Sequence, residues 1–268
     1  MNIFTILITQ PLANGLILFY HLLGNNLGLA IIVFSLSLRF VLTPLTKPYM
    51  DSMKKLREYQ KDLDKLKHKH KDDKMKLAQA QNDFYREKGI NPTAGCLPYL
   101  LQIVVLIAFF NLFRTVLSAN VDTTQKLNEF LYPALQLKDH IVSTQFFFWN
   151  LTQPDKIVIE GFPFALPGII VVLAALSQLI SAKMASPYVE EEEKLASKTL
   201  EKTDDVTAGM QASMIYTFPL MTLFIGLSFP SGFAIYWLVF SLFQSVQQYN
   251  SAGWGGATPW IKQIKKFF

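Results

Sequence analysis

Five long apolar stretches, at residues 27–46, 97–117, 164–182, 211–229 and 232–249, constrain this chain more than any other feature. The first two carry one arginine each, Arg39 and Arg114, and none has an Asp or Glu in its interior. About 17–25 such residues cross ~30 Å of hydrocarbon as a helix. A helix also satisfies its own backbone groups where no water is present. The pattern predicts an all-α integral membrane protein with five transmembrane helices. Composition agrees: 51% of residues are hydrophobic with glycine left out of the count, against about 45–50% with glycine included in soluble domains.

Residues 1–24 are apolar as well, but Gln10-Pro11, Asn14-Gly15 and Gly24-Asn25-Asn26 break them up. We read residues 1–26 as an outer-face segment whose positions 11–23 form a short interfacial helix. A sixth span is the alternative. The first 38 residues contain no Lys, Arg, Asp or Glu, which excludes an ordinary signal peptide and an Arg-rich transit peptide. The simplest location is a bacterial plasma (inner) membrane. The single cysteine, Cys96, excludes an internal disulfide and a cysteine-rich metal site. Thr93-Ala94-Gly95-Cys96 reads like a lipoprotein cleavage box, but it lies far from the N-terminus behind a charged stretch, which argues against acylation.

Charge sets the orientation. Loop 47–96 holds thirteen Lys and Arg, loop 118–163 holds Lys126, Lys138 and Lys156 against five acids, and tail 250–268 holds Lys262, Lys265 and Lys266 with no acid. The positive-inside rule places the N-terminus and loop 118–163 outside, and loop 47–96 and the C-terminal tail in the cytoplasm. Loop 183–210, also cytoplasmic, is an exception in balance, since Glu190, Glu191, Glu192, Glu193, Glu201, Asp204 and Asp205 outweigh its four lysines. Acids count little in that rule.

In loop 47–96, Met53, Leu56, Tyr59, Leu63 and Leu66 and then Leu77 and Phe84 recur at near-heptad spacing around Asp72-Asp73. This predicts a cytoplasmic antiparallel hairpin of two helices about twenty residues long on a thin apolar seam. Its charged faces read either as a solvated surface or as a docking arm for anionic lipid, ribosome or incoming chain. His68 and His70 diverge on a helix, so no metal site is expected there.

Arg39 is the sharpest residue. It lies about twelve residues into its span, hence ~18 Å deep at 1.5 Å per residue. A charge at the helix centre costs roughly 2.5–3.5 kcal/mol on the insertion scale. One reading has Arg39 snorkelling to inner headgroups, as Arg114 does outward. The other gives it polar company. Ser35, Arg39 and Thr43 share one helix face, and Trp237, Ser241, Gln244 and Gln248 share another. Gln102 sits early in the second span, and Gln178 and Ser181 late in the third. With alternating topology these groups collect in the middle and cytoplasmic half of the bilayer, as a hydrophilic groove open to the cytoplasm and closed outside requires. Each Gln or Ser alone reads as helix–helix glue. No His-Glu-x-x-His pair, phosphate-binding Gly-rich loop or Gly-x-Ser-x-Gly elbow is present. The span serines have no His or Lys to serve as base, so an intramembrane hydrolase is poorly supported.

The motifs carry a resemblance. Asn26-Leu27-Gly28-Leu29-Ala30-Ile31-Ile32 with Arg39-Phe40-Val41-Leu42-Thr43-Pro44-Leu45, Gly89-Ile90-Asn91-Pro92-Thr93-Ala94-Gly95-Cys96-Leu97-Pro98 leading to Leu101-Gln102, and Phe229-Pro230-Ser231-Gly232-Phe233-Ala234-Ile235-Tyr236-Trp237-Leu238-Val239 with Gln247-Gln248-Tyr249 resemble, in order, the YidC/Oxa/Alb membrane-protein insertase family. The resemblance implies a five-helix core around a hydrophilic groove. The family's groove arginine falls on Arg39, its third-span glutamine on Gln178, and its last-span aromatic on Trp237 beside Tyr236. It further implies an energy-independent insertase and chaperone with no covalent chemistry and no cofactor. Its partners are nascent membrane-protein substrates and the lipid bilayer, with the ribosome and the general secretion (Sec) translocon as further candidates, and a monomer suffices to form the groove. Against the family pattern we expect no large extracytoplasmic domain before the core and no lipoprotein leader, and a tail of three lysines argues against strong ribosome binding through it. A small-solute transporter would instead show paired charges or a polar path to the outer face. A structural assembly factor that only chaperones helices shares every feature above.

Overall fold

The computed structural model of the chain describes residues 3–70, 73–91, 97–116, 127–137, 142–161, 163–185 and 206–267. The box at Thr93-Ala94-Gly95-Cys96, Pro92, Asp72, Lys126, Lys138 and the acidic run of loop 183–210 lie outside these residues, as do the side chains of Met53, His68, Gln102 and Arg114.

A π-helical turn at Thr5–Thr9 runs into α1 (Gln10–Leu22). The helix ends where Gly24 and Asn25 adopt positive φ and the Asn25 N–H returns to the Tyr20 carbonyl at 2.9 Å. Asn26 then caps α2 (Leu27–Glu58) by accepting from the Leu29 N–H at 3.0 Å. The Gly24-Asn25-Asn26 break is thus a helix stop followed by a helix start. Thr5–Leu22 is one of two described helical runs long and apolar enough to cross a membrane; the other is Leu27–Leu56.

α2 does not stop at residue 46. It runs through Pro44 and Pro48 to Glu58, so the first arm of the expected hairpin is the end of α2 continued by α3 (Gln60–Lys69) after a break at Tyr59. The second arm is α4 (Lys74–Glu87). Asp73 caps it by accepting from the Lys76 N–H at 3.0 Å. At its other end Gly89 takes φ +59 and the Ile90 N–H reaches the Tyr85 carbonyl at 2.8 Å, a Schellman closure that favours glycine at that position. Leu63 is buried, and Tyr59 meets Phe84 edge-on at 6.0 Å between ring centroids.

α5 (Leu97–Val116) is followed by a short 3-10 turn at Pro133–Leu135. Two small antiparallel pairs come next: β1 (Gln145–Phe146) with β2 (Trp149–Asn150), and β3 (Lys156–Ile157) with β4 (Leu166–Pro167). The last helices are α6 (Ile169–Ala185), α7 (Val206–Gly226), α8 (Ser231–Ala252) and α9 (Thr258–Phe267). α6 begins later than the expected residue 164. Leu166 and Pro167 pair with Ile157 and Lys156, and the Asp155 carboxylate accepts from the Ile170 and Val171 N–H groups at 2.7 and 3.2 Å. The apolar residues before Ile169 are therefore held extended up to a capped start. α7 ends at Gly226, and the chain turns over residues 227–230 before α8.

The contacts divide the chain into two compact units. One comprises Met1–Val41, Leu101–Leu179 and Tyr216–Phe243, the other Leu42–Leu100, Ile180–Ile215 and Gln244–Phe268. In the first, Leu16 and Ile17 of α1, Leu27 and Ile31 of α2, Phe109 and Leu112 of α5, Val171 of α6 and Tyr236 of α8 are among the buried side chains. Aromatic rings link them: Phe34 lies 5.8 Å from Phe109, which stacks on Tyr236 at 4.3 Å and 15°. Asn14, buried on α1, donates to the Phe130 carbonyl at 2.8 Å and accepts from the Tyr132 N–H at 2.6 Å, fixing the segment after α5.

Candidate functional site

Arg39 lies on α2 in the first unit and is only 4% exposed. Its guanidinium carbon sits 4.5 Å from the centroid of the Phe240 ring and 5.8 Å from that of Phe243, both on α8. Phe40 meets Phe243 edge-on at 5.0 Å. A cation over an aromatic face gains electrostatic attraction that rises as water is excluded, so these rings offset part of the cost of burying the charge. One turn before Arg39, Ser35 is buried and its hydroxyl donates to the Ile31 carbonyl. That back-bond satisfies the hydroxyl within α2.

α8 contributes the facing residues. Tyr236, Trp237 and Ser241 are all buried. Trp237 meets Phe233 edge-on at 5.5 Å, and Tyr236 lies between Phe109 and Phe240, at 4.3 and 6.1 Å. Phe233, Tyr236, Phe240 and Phe243 recur at three- and four-residue steps, so the helix carries an aromatic stripe. Phe240 and Phe243 are the site residues that sequence reading passed over. Their helical spacing from Tyr236 was the available signal, passed over because the polar residues Ser241, Gln244 and Gln248 on the same helix drew the reading to another face.

Gln178 of α6 is partly buried, and its Oε1 lies 2.6 Å from the Thr222 hydroxyl of α7. That hydroxyl is also 3.0 Å from the Phe218 carbonyl, and its single proton serves one acceptor at a time. Thr222 and Ser177 are buried polar residues of the same unit. The first unit therefore contains Ser35, Arg39, Gln178, Tyr236, Trp237 and Ser241. Thr43 and Gln244 fall in the second, both partly buried. Gln102 is placed on α5 by its backbone alone. In the second unit Gln248 and Ser181 are buried, and the Ser181 hydroxyl has no hydrogen-bond partner among the described residues.

A second construction in the first unit holds helix ends rather than the charge. Asp155 is buried, caps α6 and accepts from the Trp149 indole N–H at 3.2 Å. Gly168 packs against that carboxylate so tightly that a Cβ there would overlap it. The preceding residues tie down the start of α8: the Ser231 N–H donates to the Gln153 carbonyl at 2.7 Å and its hydroxyl to the Asn150 carbonyl at 2.9 Å. One folded segment thus sets the origin of both α6 and α8, and with them the depth of Gln178 and Trp237 along their helices.

The chain matches the profile of the 60Kd inner membrane protein family over residues 18–252. Among curated proteins it is 31% identical to the membrane protein insertase YidC of Pelobacter propionicus, over 90% of this chain and 38% of that protein. It is 30% identical to the YidC of Chlorobium luteolum, over 90% of this chain and 36% of that protein. Against the YidC of Rickettsia akari it is 29% identical, over 91% of this chain and 38% of that protein. The chain spans little more than a third of the length of these relatives. With a match that runs from α1 to the end of α8, through every residue of the arginine site, the chain belongs to the 60Kd inner membrane protein family.

Proposed function

We propose that the chain is a membrane protein insertase and chaperone of the bacterial inner membrane, working through a hydrophilic groove that contains Arg39. The observation that carries this reading is a buried arginine in an apolar helical run, held against Phe240 and Phe243. Intramembrane charge is expensive and marks a functional site by default. The insertase names of the curated relatives support the same activity.

In this reading α2, α5, α6, α7 and α8 are the five spans, with the N-terminus outside and the C-terminus in the cytoplasm. Ser35, Thr43, Gln102, Gln178, Tyr236, Trp237, Ser241 and Gln244 line the groove. The groove shortens the apolar barrier that a nascent substrate's polar tail must cross. Arg39 attracts acidic residues of that tail, more strongly than in bulk water because the surroundings are of low dielectric. The membrane potential, about 2.3 kcal/mol per charge per 100 mV, draws the acidic tail outward. The substrate's apolar segment leaves into lipid. No bond is made or broken and no nucleotide or cofactor takes part. Substrates arrive from the ribosome or beside the general secretion channel, and a monomer forms the groove.

The test is insertion in cells depleted of their own insertase, with single-span substrates bearing acidic or neutral tails. The full chain should restore insertion, and Arg39→Gln should lower it for acidic tails more than for neutral ones. Failure of the unmodified chain to restore any insertion would overturn the assignment; equal loss for both tails would overturn the charge-attraction step.

A further inference from the structure

α8 is followed by a tight turn in which Gly253 has φ +63 and Gly255 φ +48, and then by α9. At 100° per residue, Trp260, Ile261 and Ile264 of α9 fall within about 100° of arc, and Lys262, Lys265 and Lys266 within a separate arc of similar width. The helix has no acid. All three lysines are exposed, and so is Ile264, at 53%. Around this helix the same unit gathers aromatic rings. Tyr249 and Trp254 are exposed and lie 4.9 Å apart, and the Lys183 ammonium lies 5.6 Å from the Trp260 ring.

We infer that α9 is a docking surface for anionic lipid headgroups, lying in the plane of the membrane surface with Ile264 and Trp260 in the acyl boundary and its lysines among the phosphates. Trp and Tyr mark membrane–water interfaces, and an apolar arc backed by lysines is the pattern of interfacial helices. An RNA surface would engage the lysines but leave Ile264 and Trp254 wet; a lipid surface takes both faces. Because α8 tethers the helix through a short turn, its partition is intramolecular and modest affinity suffices. The inference rests on the membrane reading of the proposed function, with the lipid contact of α9 added.

The experiment uses the full chain with Cys96→Ser and Ile264→Cys in nanodiscs of phosphatidylcholine alone, or with 30% phosphatidylglycerol, and follows the rate of reaction with a water-soluble maleimide. Phosphatidylglycerol should slow labelling at least tenfold. Lys262→Gln, Lys265→Gln and Lys266→Gln together, or half-molar salt, should restore it, since both remove the attraction of lysines for an anionic surface. Equal rates in the two lipids would overturn the inference, as would protection that appears only on adding polyuridylate, which would assign the face to RNA. Phe224→Cys, on the exposed apolar side of α7, separates the two readings. Fast labelling there in nanodiscs would overturn the membrane reading and this inference with it. A shielded 224 with an unchanged 264 overturns the inference alone.

Discussion

The guanidinium of Arg39 rests 4.5 Å from the ring centroid of Phe240, about 200 positions later in the chain. That pairing joins α2 to α8. Phe240→Leu keeps the apolar volume but removes the ring. With cation–π attraction worth about 0.5–2 kcal/mol, the change should lower insertion of acidic-tailed substrates roughly two- to thirtyfold and leave neutral-tailed ones nearly unchanged. Quantified insertion of the paired substrates checks this. A uniform loss would mean that Phe240 serves only packing.

Gln178 and Thr222 join α6 to α7 by a side-chain hydrogen bond of 2.6 Å. Thr222→Val keeps the shape and removes the donor. The expected cost is about 1 kcal/mol, read as a fall in the thermal midpoint of the purified chain. Gln178→Leu in addition should recover part of the loss, since replacing both partners leaves no unsatisfied group. A double-mutant cycle measures the coupling.

Asp155 caps α6 with two backbone N–H groups and takes the Trp149 indole N–H as well. Hydrogen bonds to a charged group are worth about 1.5–3 kcal/mol, so Asp155→Ala should destabilise the purified chain by about 2–4 kcal/mol. Asp155→Asn should fall between the two. Gly168→Ala should also destabilise, because its Cβ would overlap the carboxylate. The check is thermal unfolding of all three variants under one detergent condition.

The hairpin should respond to acid through Asp73. The backbone N–H of Lys76, and then its ammonium, hold the Asp73 carboxyl below the ordinary carboxylate value. A group whose pKa falls on folding stabilises the fold above its unfolded value, and the contribution is lost as pH falls through the folded value. The start of α4 should therefore be fully formed at neutral pH and fray below about pH 4. Carbon-13 Cα shifts of Lys74, Met75 and Lys76 in the labelled full chain report it, and Asp73→Ala should show the frayed shifts at every pH.

Much of the local structure was legible. Each long apolar run contains a helix because its length and its lack of an alternating face favour one, and Pro44 and Pro219 are accommodated inside α2 and α7. The stop at Gly24-Asn25 follows from two residues that tolerate positive φ, and the starts of α2 and α4 from the Asn26 and Asp73 side chains, each accepting from an N–H three residues on. The end of the first long helix was not legible. The first apolar stretch closes at residue 46, where the charged loop begins, yet α2 continues through Pro44 and Pro48 to Glu58. A proline removes one helical hydrogen bond without forbidding the turns on either side of it.

The sequence by itself determined a helical chain of apolar runs with one deep arginine, because length, hydropathy and charge are properties of consecutive residues. Tertiary structure decided what that arginine touches. Sequence reading put Arg39 among serines and glutamines by helix face and depth; the fold adds that it lies on Phe240 and Phe243, with buried Ser35 one turn away. It also decided where α6 starts, since Phe164 belongs to an apolar run but Asp155 and the β3–β4 pairing delay the helix to Ile169. Both outcomes depend on groups distant along the chain or held by a folded loop. Contacts of that kind have no period in the sequence and exist only once the helices have packed.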